Sequence, residues 1–136
     1  MLRGSKKSYL VEIWEAFKMT LQECYDQMNG SYDDAKARLM MDSMMERFLQ
    51  KFLEDQTMEE LRRAVASGDI PGSFRQAHTL KGVAANLAFT GLQKAASDLT
   101  EQLRPQAAPA DPKLMAQVEG AYQAVVEAIH AYQTGK

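Results

Sequence analysis

The chain has 136 residues, 46% hydrophobic and 25% charged, with a formal net charge of −2. That balance fits one globular domain long enough to bury its own core, and it leaves no electrostatic footprint for nucleic acid. With Cys24 as the single cysteine, no intramolecular disulfide can form and a reducing compartment is expected.

No uninterrupted apolar run approaches the length of a membrane span. Met1 to Lys7 is basic, but Tyr9 to Phe17 is interrupted by Glu12 and Glu15 and lacks a small-residue cleavage site, which makes a poor signal peptide. A cytoplasmic protein is expected, with no membrane contact.

Residues 1–18 read separately from the rest. Tyr9, Leu10, Ile13, Trp14 and Phe17 have helical spacing. We read this stretch as an N-terminal extension, native or appended, ahead of a domain over 19–136. A helix exposing Trp14 and Phe17 needs a partner surface, so a dimer through residues 1–18 is the alternative to a monomer. Thr20 and Glu23 form a capping-box sequence that opens a short helix to Met28, stopped by Asn29-Gly30.

A longer helical stretch runs from about Asp33 to Glu54, with a break expected near Asp42-Ser43. Leu39, Met41, Met45, Phe48, Phe52 and Leu53 form its apolar face. Met40, Met41, Met44 and Met45 have two readings, core filling first and an adaptable docking surface second. Thr57-Met58-Glu59-Glu60 is a second capping-box sequence. It opens a helix with Leu61, Ala64 and Val65 inward, ending at Gly68.

Either Asp69 or Ser73 caps the next helix, with Pro71 and Gly72 in its first turn. Phe74, Ala77, Leu80, Ala84 and Leu87 make its apolar stripe. Thr90 to Gln93 is a third capping-box sequence, followed by Leu92, Ala95, Ala96, Leu99 and Leu103 on one face. Pro105 to Pro112 is a connector. Asp111 caps the last helix, where Met115, Val118, Tyr122, Val125, Ile129 and Tyr132 form a heptad-like seam. The pattern predicts an all-α fold, an up-down antiparallel four-helix bundle with additional short N-terminal helices.

His78 lies about 200° around the helix from Leu80, so it should face solvent. Lys81 and Gly82, three and four residues on, share its face. Gly in a helix interior costs roughly 1 kcal/mol relative to Ala, and here it leaves a gap beside an exposed nucleophile. Neutral imidazole attacks well near pH 7, and an ammonium group offsets charge on a transferring phosphoryl group. His130 has no such neighbours and reads as an ordinary surface residue.

His78-Thr79-Leu80-Lys81-Gly82-Val83-Ala84-Ala85-Asn86-Leu87 resembles the signature of histidine-containing phosphotransfer (HPt) domains, and the resemblance extends from about Thr20 to Tyr132. It implies a four-helix bundle in which His78 carries a phosphoryl group, with Lys81 and Gly82 supporting it. It implies a relay: the group arrives from a receiver-domain aspartate, of a hybrid histidine kinase or a response regulator, and leaves to another. Magnesium is expected on the receiver. Many members place a Gln on the adjacent helix to hold the imidazole; the position that would face His78 here is near Thr100. A Gly often follows the asparagine-leucine pair, where this chain has Ala88. Arg75 and Ala85 are candidate binding residues on the His78 side, and Arg104 is a further surface candidate.

No nucleotide-binding loop and no spaced Cys/His set is present. No cofactor, bound metal or autonomous enzymatic activity is therefore expected. The alternative function is an HPt-like module that docks to a receiver without transferring.

Overall fold

The computed structural model describes residues 18–135, and its regular elements are all helical. In chain order they are α1 (Leu21–Gln27), α2 (Tyr32–Leu39), α3 (Asp42–Glu54), α4 (Thr57–Ser67), α5 (Ile70–Asn86), α6 (Thr90–Leu103) and α7 (Pro112–Thr134). The helix expected over Tyr9 to Phe17 lies outside the described residues. Among the described residues no helix is long and apolar enough to cross a membrane.

The last four helices form the up-down bundle. α4 packs on α5, α5 on α6, and α6 on α7. Arg62 on α4 reaches Glu119 on α7 with three hydrogen bonds of 3.2, 2.9 and 2.7 Å, and lies over the Tyr122 ring at 5.3 Å. The core is where the apolar stripes meet: Leu61, Leu80, Leu99, Leu103, Val125 and Ile129 are all fully buried. α1 lies along α7, and the α2–α3 elbow continues from it. Aromatic packing joins the short helices to the bundle, with Phe89 5.0 Å from Phe52 and 5.9 Å from Tyr25 between ring centroids. Cys24 belongs to this core. Burial pushes its thiol up to about 11, so it is an inert apolar side chain rather than a reactive one.

The helix starts separate real caps from lookalikes. Thr20 and Glu23 close a full capping box. Asp69 caps α5, accepting from the Gly72 amide at 2.9 Å, while Ser73 donates its hydroxyl back to the Asp69 carbonyl. Asp111 caps α7 ahead of Pro112. The other two capping-box sequences do not form boxes. Thr57 is already inside α4 and buried, and Asp55 accepts its amide at 2.8 Å instead. Thr90 is inside α6, whose N-cap is Phe89. In both cases the preceding turn brings the chain into the helix one residue early, so the Thr hydroxyl is misplaced for capping.

The expected break in the long second stretch is present, at Met40-Met41. It splits the methionines. Met45 is buried, whereas Met40, Met41 and Met44 are 76%, 56% and 38% exposed. Core filling therefore holds for one of the four. Met41, placed on the apolar face by spacing, is outside the core, because the break at Met40 (φ 69°) resets the helical phase.

The short helices hold the C-terminal end of α5. Tyr25 donates its hydroxyl to the Leu87 carbonyl at 3.0 Å, the Ser31 amide donates to the Ala88 carbonyl at 2.9 Å, and Arg38 Nη1 donates to the Ala85 carbonyl. Carbonyls at the end of the helix thus gain partners from outside it, and Arg38 adds a cation at the negative end of the helix dipole. Gly30 permits this approach: a Cβ there would lie 2.9 Å from both the Ala88 oxygen and the Tyr25 ring.

Ala88 has φ of 60°, the left-handed region where Gly is favoured. A glycine would sit here without strain, and nothing in the structure explains the alanine. Ala88→Gly is expected to change stability by less than about 1 kcal/mol. Relief of the left-handed strain, about 1 kcal/mol, is offset by the lost buried methyl, about 0.8 kcal/mol, and by the looser unfolded chain. Urea unfolding with an unchanged m-value would verify it.

Candidate functional site

The site is built on the solvent face of α5. Ala77, Leu80 and Ala84 are buried against the neighbouring helices, and His78 is exposed on the opposite side. Phe74, one turn earlier, is only half-buried although it lies at the edge of the apolar stripe. Its ring stacks on the imidazole, with centroids 6.1 Å apart and planes 20° from parallel. Among the described residues the imidazole makes no hydrogen bond, so this stacking is what orients it.

Lys81 and Gly82 follow on the same face. Lys81 is half-exposed and enters no ion pair among the described residues, which leaves its charge available at the imidazole. Gly82 is exposed, and a methyl group built on it would meet no atom of the described residues within 4 Å outside its own helix backbone. The space beside His78 is therefore open to solvent rather than occupied by the protein's own packing. That disposes of internal crowding as the reason for a glycine in mid-helix.

The adjacent helix contributes charge. Arg104, at the end of α6, places its guanidinium 5.4 Å from the Phe74 ring centroid. Its Nε donates to both Glu101 carboxylate oxygens at 3.1 and 3.2 Å, and its Nη2 donates to Oε2 at 2.7 Å. Arg104 first, and then the charges of Lys81 and His78, hold the Glu101 carboxyl below the usual carboxylate range. Glu101 is thus an acidic group near enough to feel the charges of the imidazole and the ammonium.

The other residues singled out from the sequence fall as follows. Arg75 is exposed, but it lines a polar cleft with Glu60, Arg63 and Gln76 between α4 and α5, on the far side of His78 from Arg104. Ala85 is half-buried on the His78 side, and its carbonyl is the one that accepts from Arg38. Thr100 needs correction. It is fully buried, and its hydroxyl donates to the Ala96 carbonyl of its own helix at 2.6 Å. It neither reaches the surface nor bonds the imidazole, because α6 turns position 100 into the core and position 101 toward His78. His130 is exposed on α7, as expected of an ordinary surface residue.

Glu101 and Arg38 were missed in the sequence. Glu101 had a signal available: it precedes Arg104 by three residues and follows a core position by one. Arg38 had none, since its contact with Ala85 spans two separate elements.

What the arrangement can do follows from its parts. It presents an exposed imidazole, an ammonium on the same helix face, a glycine with open space beside it and an exposed Glu101–Arg104 ion pair. A sequence model of the Hpt domain matches residues 12–128. The match takes in most of the chain and begins inside the stretch read as an extension. No curated protein and no solved structure shows a significant match.

Proposed function

The chain belongs to the Hpt domain family, whose members are phosphocarrier modules of His-Asp phosphorelays that interact with receiver domains, and from that premise we propose that it shuttles a phosphoryl group between receiver-domain aspartates on His78. The observation that carries this reading is the exposed imidazole with Lys81 beside it and unfilled space at Gly82.

The step is an in-line displacement at phosphorus. Nε2 of the tautomer protonated on Nδ1 donates its lone pair to phosphorus. The P–O bond to the receiver aspartate breaks, and the carboxylate leaves with that electron pair. The Nδ1 proton is then released to water. The receiver's magnesium carries most of the charge stabilisation, and this chain supplies a positioned nucleophile. Phe74 fixes the ring plane, Lys81 offsets charge on the phosphoryl oxygens, and Gly82 admits the receiver. Arg75 and Ala85 would meet the docked partner at the edges of the face. The reverse step hands the group on. No cofactor of its own is required.

The test is transfer of label from a phosphorylated receiver to the purified protein. Acid-labile, base-stable label on the protein is the expected result. Docking without any label, from every receiver tried, would favour the non-transferring module.

Lys81→Ala is expected to slow transfer about tenfold while weakening docking less than about threefold, since Lys81 acts where charge develops rather than across the interface. Rapid-quench transfer rates set beside receiver affinity would separate the two. A normal rate would remove Lys81 from the mechanism.

A further inference from the structure

The Glu101–Arg104 pair has no evident structural task. It is an exposed i,i+3 pair, with side chains 57% and 51% exposed, and such pairs contribute little to stability. Yet it sits at the phosphoacceptor. The guanidinium lies over the same Phe74 ring on which the imidazole stacks, so an arginine side chain anchored at position 104 has the reach to approach the phosphorylated ring.

Resting on the assignment of His78 as phosphoacceptor, we propose that Arg104 is a second cation for the phosphorylated state, held in reserve by Glu101 and transferred from that carboxylate to the phosphoryl group when His78 is loaded.

The exchange follows from charge and geometry. In the unloaded protein Arg104 pairs with the Glu101 carboxylate. Loading places a group of charge near −2 on the imidazole. A guanidinium binds phosphoryl oxygens through two parallel hydrogen bonds, and leaving an exposed carboxylate costs little. Glu101 then has two effects in one direction. It competes for Arg104, and it repels the new dianion. The loaded state ends when the N–P bond breaks. When that bond is hydrolysed, water adds to phosphorus and the ring recovers the electron pair. Glu101 therefore shortens the life of the loaded state and Arg104 lengthens it, so the pair sets how readily His78 gives up its cargo.

Phosphoramidate supplies the test without a partner. Imidazole nitrogen attacks its phosphorus, and ammonia leaves with the P–N electron pair. Any exposed histidine can be labelled this way, so His130, exposed on α7 and remote in sequence from the pair, is an internal reference in the same sample. The half-life of each phosphohistidine is followed by phosphorus NMR in the full chain, in low salt and in high salt. For His78, Glu101→Gln should lengthen the half-life about threefold in low salt, as expected for one screened surface charge, and the gain should shrink in high salt. Arg104→Met should shorten it about threefold, Arg104→Lys should recover part of the loss, and the His130 signal should not respond. Unchanged His78 half-lives in both Glu101→Gln and Arg104→Met, with His78 labelled, would overturn the reserve-cation role and leave the phosphoacceptor assignment standing. If a phosphorylated receiver labels the protein but not at His78, the assignment itself fails and this role falls with it.

Discussion

His78→Gln is expected to abolish phosphoryl uptake from a phosphorylated receiver while leaving the fold intact. The glutamine amide nitrogen has its lone pair delocalised into the carbonyl, so the substitution keeps a polar side chain of similar reach and removes the nucleophile. Little else depends on the imidazole. It is exposed, and its contact is the stacked Phe74 ring. Exposed substitutions of this kind usually change stability by about 0.5 kcal/mol or less, and Gln suits a helix interior at least as well as His. A thermal melt superimposable on wild type, together with label at background, is the expected pair of results. His130→Gln should keep full uptake, because that ring lacks the Lys-Gly neighbours. Retained label on the His78 variant, lost only in the His130 variant, would move the phosphoacceptor to α7 and undo the assignment made from α5.

The helices were legible because their apolar stripes are long and periodic. Leu92, Ala95, Ala96, Leu99 and Leu103 were read as one face, and all five are buried. The same arithmetic placed His78 opposite Leu80 and Lys81 with Gly82 on its side. It failed where a single turn decides phase. The break at Met40 left Met41 in solvent, and the entry turns at Gln56 and Phe89 moved Thr57 and Thr90 past the capping position. Thr100 failed for a related reason. Being near the imidazole along the neighbouring helix is not the same as facing it, and one position on α6 separates a buried hydroxyl from the Glu101 carboxylate. Arg38 and Tyr25 show the other limit. Each donates to the end of α5 from a different short helix, and no local pattern encodes a contact that depends on how several elements meet. The helix face that carries His78, Lys81 and Gly82 was thus readable from one helix, and its surroundings from none.

Gly82 is where stability and function should move in opposite directions. A methyl there meets no atom of the described residues within 4 Å outside its own helix backbone, and the position lies in the interior of α5, four residues before its end. Gly82→Ala should therefore stabilise the protein by about 1 kcal/mol through helix propensity, raising the melting temperature by about 3–5 °C. Transfer should slow, because the open space is one turn from the nucleophile, on the side from which the receiver must bring phosphorus to within bonding reach of Nε2. Gly82→Gln should slow it further, by more than about tenfold, equivalent to about 1.4 kcal/mol in the barrier. Its longer side chain projects into the approach while leaving the core untouched. Labelling by phosphoramidate, a far smaller donor than a protein domain, should be nearly normal in both variants. This contrast separates obstruction of a partner from damage to the imidazole. Equal slowing with the small donor and with the receiver would mean that Gly82 acts on the ring itself, through helix geometry, and not by keeping the approach clear. A variant that is more stable, reacts normally with the small donor and is slow with the receiver would tie the glycine to docking of a second protein.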